Sequence, residues 1–328
     1  MNTLPSSEGL LILPRLSVQN ANAISSPLTH GFPSMTAFLG LMWALARRLE
    51  THGLPLAFDS VGVICHDIDE QVADGGYVKT FRLSRNPVDK DGGSAAIVEE
   101  GRMHIEITLI FGVSGGFVEL DNEAHDAIAR TVASELAGMR IAGGSVLPSG
   151  DWRSRPELLR FGDDHEDVRR RFRHLRRRWL PGFALVCRDD LLHTRMEQLR
   201  ETAPQATALD ALLDLSRFNW RPVRRAPAPN TAPIPPEKVE WASEPRPGWI
   251  VPIPVGFGAL SALLPGGEVQ NARDRDTPFR FVESLYSIGQ WISPHRLDNV
   301  DQLLWYASTD PAAGRYRCRN DFASLQST

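Results

Sequence analysis

The sequence predicts an α+β fold, and observations along its first half support this. Apolar residues alternate with polar ones along residues 102–111, which is typical of a half-buried strand. Apolar residues recur at helical spacing after Ser34 and again after Asp121, and both are residue types that cap helices. Short apolar runs supply the remaining strands. The resulting order, strand, helix, strand, strand, helix, strand, is that of the ferredoxin-like fold.

The first strand and helix are separated by an unusually long polar stretch. Leu10 to Leu13 form a short apolar strand, and the polar composition of residues 14–34 predicts a loop. A loop of this length between two regular elements is usually functional. The helix begins after Ser34 and ends at His52-Gly53, since histidine and glycine are common at helix ends.

The second and third strands flank an insertion. Residues 61–64 form the second strand, and residues 77–84 read as extended. The insertion, residues 69–101, predicts a protruding β-hairpin with a turn-rich tip at 85–93. The third strand, residues 102–111, then follows.

The last helix and strand of this unit complete the predicted fold. Asp121 caps a helix that carries Ile128, Val132 and Leu136 on its apolar face. The final strand, residues 139–147, is interrupted by Gly143-Gly144.

The remainder of the chain differs in character and predicts further segments. Residues 156–216 read as mainly helical, and short helices are expected at 279–288 and near 298–306. The predicted organisation is a palm at 1–150 with the hairpin insertion 69–101, an Arg-rich helical segment at 151–221, a Pro-rich linker at 222–247, and an irregular C-terminal region at 248–328 that packs back on the palm.

The composition of the chain limits the classes of function that it can have. Positive and negative charges are nearly balanced, with a net charge of −4, so any nucleic acid must bind to local basic clusters. Cys65, Cys187 and Cys318 lie far apart and imply neither a disulfide framework nor a zinc site. No signal sequence or membrane-spanning stretch is recognisable. We therefore expect a cytoplasmic protein with no membrane association.

The polar stretch after the first strand is the leading candidate site. Its amides donate and accept hydrogen bonds and its hydroxyls add further donors, which suits recognition of a polar, unpaired partner. The candidate residues are Arg15, Gln19, Asn20, Asn22, Ser25, Ser26, His30 and Phe32.

A second candidate is the segment 169–178, which holds seven arginines and no acidic residue. One interpretation is a solvated helix face paired with the acidic residues just before it. The other is phosphate contact, because arginines at this density repel one another unless an anion lies among them. Both stay open, for contact with nucleic acid or with a protein partner, and the residues concerned are Arg169, Arg170, Arg173 and Arg177.

Two smaller segments carry further candidates. Gly143-Gly144-Ser145, just after Arg140, allows close backbone approach to a ligand, although a β-bulge explains such glycines equally well. The segment containing Arg273 and Arg275 is either an ion-paired turn or a second RNA contact.

The sequence contains little that suggests catalysis. His104-Ile105-Glu106 lacks the cysteine motif of a deaminase. Cys65 and His66 are adjacent on a strand and so face opposite ways. His30 near Ser26 is the remaining candidate for an RNA-cleaving acid–base pair. We therefore expect no catalytic residues, no metal site and no cofactor.

Several longer segments resemble one known family, the second subunit of the type I-F CRISPR RNA-guided surveillance complex (the Csy or Cascade complex). The resemblance covers nearly the whole chain apart from the linker around 222–245. The segments that carry it are 10–29, 84–87, 95–102, 139–145, 180–186, 247–249, 265–275 and 293–296.

The resemblance implies an RNA-binding subunit of the RAMP superfamily, in Cas group five, that serves antiviral defence. Such subunits have an RRM-type palm with a hairpin thumb. They hold the 5′ handle of the CRISPR RNA (crRNA) with the large subunit and cap the filament of backbone subunits, and they meet target DNA through the complex. A separate nuclease subunit cleaves the handle, so the family resemblance also implies a non-catalytic chain.

Our hypothesis is that three segments line one RNA groove: residues 19–32, the hairpin tip with Arg85, Asn86 and Lys90, and residues 143–145. Two alternatives remain. One is a RAMP-type endoribonuclease that processes repeat RNA with His30 or His66 as the base. The other is a purely structural adaptor whose RNA affinity is incidental.

Overall fold

A computed structural model of the chain describes residues 3–85, 88, 91–94, 97–149, 151–162, 165–223, 240–243, 245–272 and 274–326. Its main feature is one antiparallel sheet of eleven strands with helices packed on it. The predicted mixture of helices and strands is therefore confirmed.

The helices are α1 Met35–Leu49, α2 Asn122–Ala137, α3 His165–Arg178, α4 Asp189–Thr202, α5 Ala208–Ser216 and α6 Phe322–Gln326. The strands are β1 Gly9–Asn22, β2 Ile24–Ser26, β3 Thr29–His30, β4 Ala57–Glu70, β5 Val72–Asp74, β6 Lys79–Phe81, β7 Leu83–Arg85, β8 Ile97–Glu99, β9 Arg102–Ser114, β10 Arg140–Ile141, β11 Gly144–Leu147, β12 Glu157–Arg160, β13 Phe183–Cys187, β14 Trp220–Val223, β15 Glu240–Ser243, β16 Ile250–Ala259, β17 Val282–Ile292, β18 Trp305–Asp310 and β19 Arg315–Asn320.

The N-terminal half contributes four neighbouring strands in the order β11–β1–β9–β4, and α1 and α2 pack on one face of them. The alternating apolar residues predicted for β9, from Met103 to Phe111, all point into this core. Period-two alternation buries one face of a strand, and here it identifies the face that the helices cover.

The opposite face of these strands is also covered. Leu10 and Ile110 belong to a second apolar cluster with Phe172 and Trp179 of the α3 region and with Phe322 of α6. Burial on both faces explains why the strands read as nearly continuous apolar runs over residues 10–13.

The sheet then curls back on itself. Beyond β4 it continues through β13, β17, β16, β19 and β18, and β18 returns to pair with β4 at Trp305 and Val61. The Trp305 ring is fully buried, and its Nε1 donates a hydrogen bond to the Leu185 carbonyl oxygen at 2.8 Å. The C-terminal strands are thus part of the same sheet as the N-terminal ones.

The predicted helix boundaries of the first half are confirmed. The Ser34 side chain accepts a hydrogen bond from the Thr36 amide, and the Asp121 side chain accepts one from Ala124. Gly53 has a left-handed conformation at the end of the turn that follows α1, as its position predicts.

The predicted loop at 14–34 is wrong over its first part. Strand β1 continues to Asn22 and pairs with β9 on one side and β11 on the other. Its register shifts between Leu13 and Leu16 and between Val18 and Ala21, and Arg15 and Asn20 have φ of 51° and 58° at these bulges. Bulges interrupt side-chain alternation, so the strand resembles a polar loop in the sequence.

The insertion between β4 and β9 forms paired strands, in agreement with the predicted hairpin. Strands β5 and β6 pair with each other, as do β7 and β8. The predicted extended stretch at 77–84 is broken between β6 and β7. Asn86 and Lys90 at the tip lie outside the described residues.

The predicted secondary structure of the second half needs correction. The helical segment contains α3, α4 and α5 but also the strands β12 and β13. The helix predicted at 279–288 is strand β17, and that near 298–306 is a turn leading into β18. A five-residue apolar run such as β13 has no period that separates a buried strand from a helix.

The ends of the predicted linker form a ribbon, because β14 pairs with β15, and residues 224–239 lie outside the described residues. The C-terminal region predicted to be irregular supplies the strands β16 to β19. The four-part domain division itself remains a prediction.

The three cysteines are buried free thiols, and burial raises the pKa of Cys65 to about 12. A thiol with so high a pKa stays protonated at neutral pH and is a poor nucleophile. Across the described residues, no helix combines the length and apolar character needed to cross a membrane.

Candidate nucleic-acid interface

A cleft of about 820 Å³ lies at the end of the sheet where β1, β9 and β10 meet the side of α1. Its lining residues come from four separate parts of the sequence. They are Asn22, Ile24, Ser25, Pro33, Ser34, Thr36, Ala37, Gly40, Leu41, Ala44, Glu99, Glu100, Gly101, Arg102, Met139, Arg140, Ala142 and Gly143. We call this site the end cleft.

Four predicted site residues lie in the end cleft: Asn22, Ser25, Arg140 and Gly143. Asn22 and Ser25 come from the neighbouring strands β1 and β2. Arg140 and Gly143 come from the β10–β11 hairpin, more than a hundred residues further along the sequence. The fold therefore brings the polar N-terminal stretch and the glycine-containing segment to one place, as our hypothesis requires.

Two arginines line the end cleft together with the carboxylates of Glu99 and Glu100. Arg102 Nε and Nη2 lie 3.2 and 3.1 Å from one carboxylate oxygen of Glu100, which holds the guanidinium beside Gly143. Arg140 is exposed, and its Nη1 donates to the Gly143 carbonyl oxygen at 3.1 Å. Each guanidinium keeps further N–H groups for an anion, because arginine has five donors.

Helix α1 shapes one wall of the end cleft. Its first turn, with Thr36 and Ala37, lies at the wall and contains no acidic residue. The positive end of the helix dipole therefore lies at one end of this wall, which favours an anion there. Ala37, Gly40 and Ala44 follow along the same side, and their small side chains leave room in the cleft.

The turn between β10 and β11 forms the rim. Ala142 and Gly143 have φ of 47° and 82°, which is the conformation of a tight two-residue hairpin turn. A Cβ on Gly144 would lie 2.7 Å from both the Ala21 amide nitrogen and the Gln19 carbonyl oxygen. The close approach predicted for Gly144 is therefore explained by strand pairing, and Gly143 is the glycine that faces the cleft.

Other predicted residues lie near the end cleft but outside its lining. Gln19 and Ser145 are register partners on β1 and β11, beside the β10–β11 turn. Asn20 accepts a hydrogen bond from Gln71 at 2.6 Å, and its amide donates to His104 Nδ1. These groups extend the polar surface around the same end of the sheet.

Two side chains of the polar stretch are occupied by local packing. The Ser26 hydroxyl is buried and accepts hydrogen bonds from the Leu28 and Thr29 amides. The Phe32 ring packs on Phe38 and Trp291, with centroid separations of 5.6 and 5.0 Å. The structure therefore gives Ser26 a turn-forming role and Phe32 a packing role, and their assignment as RNA contacts stays a prediction.

Arg15 lies on the opposite face of the sheet from α1. Its Nη1 donates to Glu106 at 2.7 Å and its Nη2 donates to the Leu180 carbonyl oxygen. Its side chain is only 22% exposed. Arg15 thus joins β1 to β9 and to the 180–181 loop, and the structure does not bring it to the end cleft.

The two histidines of the endoribonuclease alternative are both hydrogen-bonded. His30 Nδ1 lies 3.1 Å from Glu70, and the ring lies against Phe81. His66 contacts the Pro181 carbonyl oxygen through Nδ1 at 2.7 Å and the Thr108 hydroxyl through Nε2 at 2.8 Å. Burial lowers the pKa of His66, which keeps the ring neutral.

The remaining predicted residues lie elsewhere or outside the described part. Arg275 is exposed in the loop between β16 and β17 and does not line the end cleft. Arg273, Asn86 and Lys90 lie outside the described residues, and for Arg85 only the backbone, at the end of β7, is described. Arg169, Arg170, Arg173 and Arg177 lie on α3, on the other face of the sheet.

Sequence reasoning missed Arg102 and the wall formed by α1. Arg102 was read as the first residue of a strand, and its position directly after Glu99-Glu100-Gly101 at the base of the hairpin was the available signal. Gly101, just before Arg102, leaves room for the Ile24 side chain, because a Cβ at this position would lie 2.7 Å from Ile24 Cγ1.

Comparison with known proteins gives consistent matches over almost the full length. A family model described as CRISPR-associated protein (Cas_Csy2) matches residues 11–318. The CRISPR-associated protein Csy2 of Pseudomonas aeruginosa (strain UCBPP-PA14) is 50% identical over 315 residues, which is 94% of this chain and 94% of that protein.

Proposed function

The chain belongs to the Csy2 family of CRISPR-associated proteins, the family that its sequence resembles, and from this we propose that it is a non-catalytic RNA-binding subunit of a type I-F CRISPR surveillance complex. In this proposal the chain holds the 5′ handle of the crRNA together with the large subunit. It caps the filament of backbone subunits and meets target DNA through the assembled complex, in the cytoplasm. It requires neither a metal ion nor a cofactor.

The strand order β11–β1–β9–β4 with α1 and α2 on one face supports the assignment of this unit as a ferredoxin-like, RRM-type palm. The paired strands inserted between β4 and β9 suit a thumb. Because α3 and α6 cover the face opposite α1, an RNA strand would bind at the end of the sheet rather than across it.

The end cleft offers the groups that an unpaired RNA end requires. Arg102, Arg140 and the first turn of α1 favour phosphate, while Asn22 and Ser25 suit base edges or a 2′-hydroxyl. None of the described lining residues is aromatic, so we expect affinity to come from phosphate and edge contacts more than from stacking.

One observation carries this proposal. Asn22, Ser25, Arg140 and Gly143 converge from separate elements on one cleft, along the side of α1 and beside Arg102. A phosphate can displace the Glu100 carboxylate from Arg102, because both are anions that match the guanidinium fork.

Co-expression of the chain with its partner subunits and crRNA tests the proposal. We expect the Arg102→Ala/Arg140→Ala variant to retain less RNA than the wild type when the complexes are washed with salt. Two lost phosphate contacts should lower the salt slope of RNA binding by about 1.4, since each contributes about 0.7 for single strands.

The matched control is Arg47→Ala/Arg130→Ala, which removes the same charge from exposed positions on α1 and α2 outside the end cleft. If both variants retain RNA equally well, the end cleft is not the RNA site. Charge reversal at Arg85 and Lys90 that leaves RNA retention unchanged would favour the adaptor alternative for the hairpin tip.

Incubation of the purified chain with repeat RNA separates this proposal from the endoribonuclease. We expect no cleavage. Metal-independent cleavage that is lost in His30→Ala or His66→Ala would contradict the non-catalytic assignment.

A further inference from the structure

The seven arginines of α3 fall into two groups according to their contacts. Arg176 donates to the Leu297 carbonyl oxygen and Arg178 pairs with Glu157, while Arg170 and Arg171 also have partners. Among the described residues, the guanidinium groups of the other three have no hydrogen bond or ion pair. These three, which we call the arginine row, are Arg169, Arg173 and Arg177.

The arginine row is an exposed line that winds slowly around α3. A spacing of four residues places successive side chains on one side of a helix, about 6 Å apart along its axis. Phe172 and Leu175 turn the opposite side of α3 toward the sheet. All three members of the row are exposed, and Arg169 and Arg173 also line a cavity beside the C-terminal segment.

Among the described residues, no carboxylate forms an ion pair with a member of the arginine row. Residues 168–178 contain no acidic side chain, and like charges four residues apart destabilise a helix. Asp298 shares with Arg169, Arg173 and Arg176 a cavity of about 490 Å³, in which one carboxylate beside three arginines leaves a net positive charge. Asp301 and Asp321 line a neighbouring cavity, which Arg169 alone of the row also lines. Such an arrangement is stable when an external anion lies along it.

The composition of the row favours a phosphate backbone over a protein surface. Arginine is also common in protein interfaces, but there it accompanies an apolar core, whereas the apolar residues Phe172 and Leu175 of α3 are directed inward. Evenly spaced guanidinium groups match a chain of phosphates, since each fork can hold one phosphate through two hydrogen bonds.

We propose that the arginine row binds the phosphate backbone of a second nucleic acid, separate from the RNA in the end cleft. The row lies on the face of the sheet opposite α1, so one strand held in the end cleft does not occupy it. This inference does not depend on the function proposed for the end cleft, and the two can fail independently.

The test uses the purified full-length chain and a fluorescein-labelled duplex DNA of arbitrary sequence, with binding followed by anisotropy over a series of salt concentrations. For Arg169→Ala/Arg173→Ala/Arg177→Ala we expect the slope of log affinity against log salt to fall by about 2.7, because each duplex phosphate contact contributes about 0.9. A labelled single-stranded RNA forms the second arm, where a fall of about 2.1 identifies a single strand as the ligand.

Three further variants make the result interpretable. Arg47→Ala/Arg48→Ala/Arg130→Ala removes the same charge from exposed sites on α1 and α2 and should change the slope far less. Arg169→Lys/Arg173→Lys/Arg177→Lys keeps the charge and should keep the slope, which separates charge loss from misfolding. Arg102→Ala/Arg140→Ala should leave the duplex slope unchanged, because the end cleft is on the other face.

The proposal is overturned if the row variant changes neither slope by more than the control variant does. If that variant instead loses partner subunits from the co-expressed complex while both slopes stay unchanged, the row is a docking surface for an acidic protein, and the nucleic-acid assignment is wrong.

Discussion

At the scale of single residues, the two glycines of the β10–β11 hairpin have different structural roles. Gly143 adopts the positive φ that the tight turn needs, and its lack of a side chain keeps the rim of the end cleft open. Gly144 has no such φ requirement, but the backbone of β1 occupies the space where its Cβ would lie. In this motif the first glycine keeps the rim of the cleft open, and the second allows β11 to pair closely with β1.

Gly144→Ala should destabilise the protein by about 1–3 kcal/mol, because the new methyl group must displace backbone atoms of β1. Urea unfolding of both proteins measures the difference. Gly40→Ala is the matched control, since a Cβ there meets nothing within 4 Å and lies inside helix α1. The control should stabilise the protein by about 0.4–1 kcal/mol, and equal effects of the two changes would contradict this explanation.

The half-buried histidine His66 should make stability depend on pH. Burial holds its pKa below the ordinary value, so the folded protein favours the neutral ring, while the unfolded chain gains a proton as the pH falls below about 6.5. The stabilising contribution is present above that pH and is lost as the pH falls toward the folded-state pKa.

We therefore expect the melting temperature of the wild type to fall more steeply between neutral and mildly acidic pH than that of His66→Gln. His295→Gln is the control, since His295 is exposed. Identical pH profiles for wild type and His66→Gln would show that this ring does not contribute to the acid sensitivity.

At the scale of elements, sequence periodicity predicted those whose pattern is regular. Helices α1 and α2 and strand β9 have clear periods and, for the helices, capping residues, and the structure confirms all three. The extension of β1 was missed because two bulges break its alternation. Strand β17 was taken for a helix, and only its pairing with β13 and β16, which is a long-range feature, determines its structure.

The candidate site was predictable to a similar extent. The polar side chains of Asn22, Ser25 and Arg140 identified them as candidate site residues. Their convergence on one cleft depends on the order of strands in the sheet, which a single sequence does not specify. Phe32 packs on Phe38 and Trp291, but an aromatic ring in a polar stretch fits base stacking and core packing equally well, so its RNA contact stays a prediction. Arg102 was missed because its partners are set by the base of the hairpin.

Helix α3 should depend on Phe172 for its attachment to the sheet. This ring is 2% exposed and packs on Trp179 with centroids 5.8 Å apart. Phe172→Ala should cost about 3–5 kcal/mol in the free energy of unfolding, measured by urea denaturation. His174→Ala, an exposed change on the same helix, should cost far less, and a similar cost for both would show that α3 is not anchored through its apolar side.

At the scale of the whole molecule, the two ends of the chain are interlocked in one sheet. Strand β13 lies between β4 and β17, and β18 pairs with β4, so the C-terminal strands extend the N-terminal unit. The apolar side chains of Leu10, Ile64 and Ile110 are buried by α3 and the C-terminal segment. Without that cover, a contiguous apolar face would be exposed to water, which folded soluble domains rarely tolerate.

We therefore expect a fragment of residues 1–150 to aggregate when expressed alone, although the sequence predicts it as a palm. Co-expression of two pieces divided within residues 224–239 should instead yield one assembled protein, because that division leaves every strand of the large sheet intact. Size-exclusion chromatography and near-UV circular dichroism, which reports on buried rings such as Trp305, measure both outcomes. A monomeric 1–150 fragment with a cooperative unfolding transition would show that the palm is an independent domain, and the exposed face would then be available to a partner.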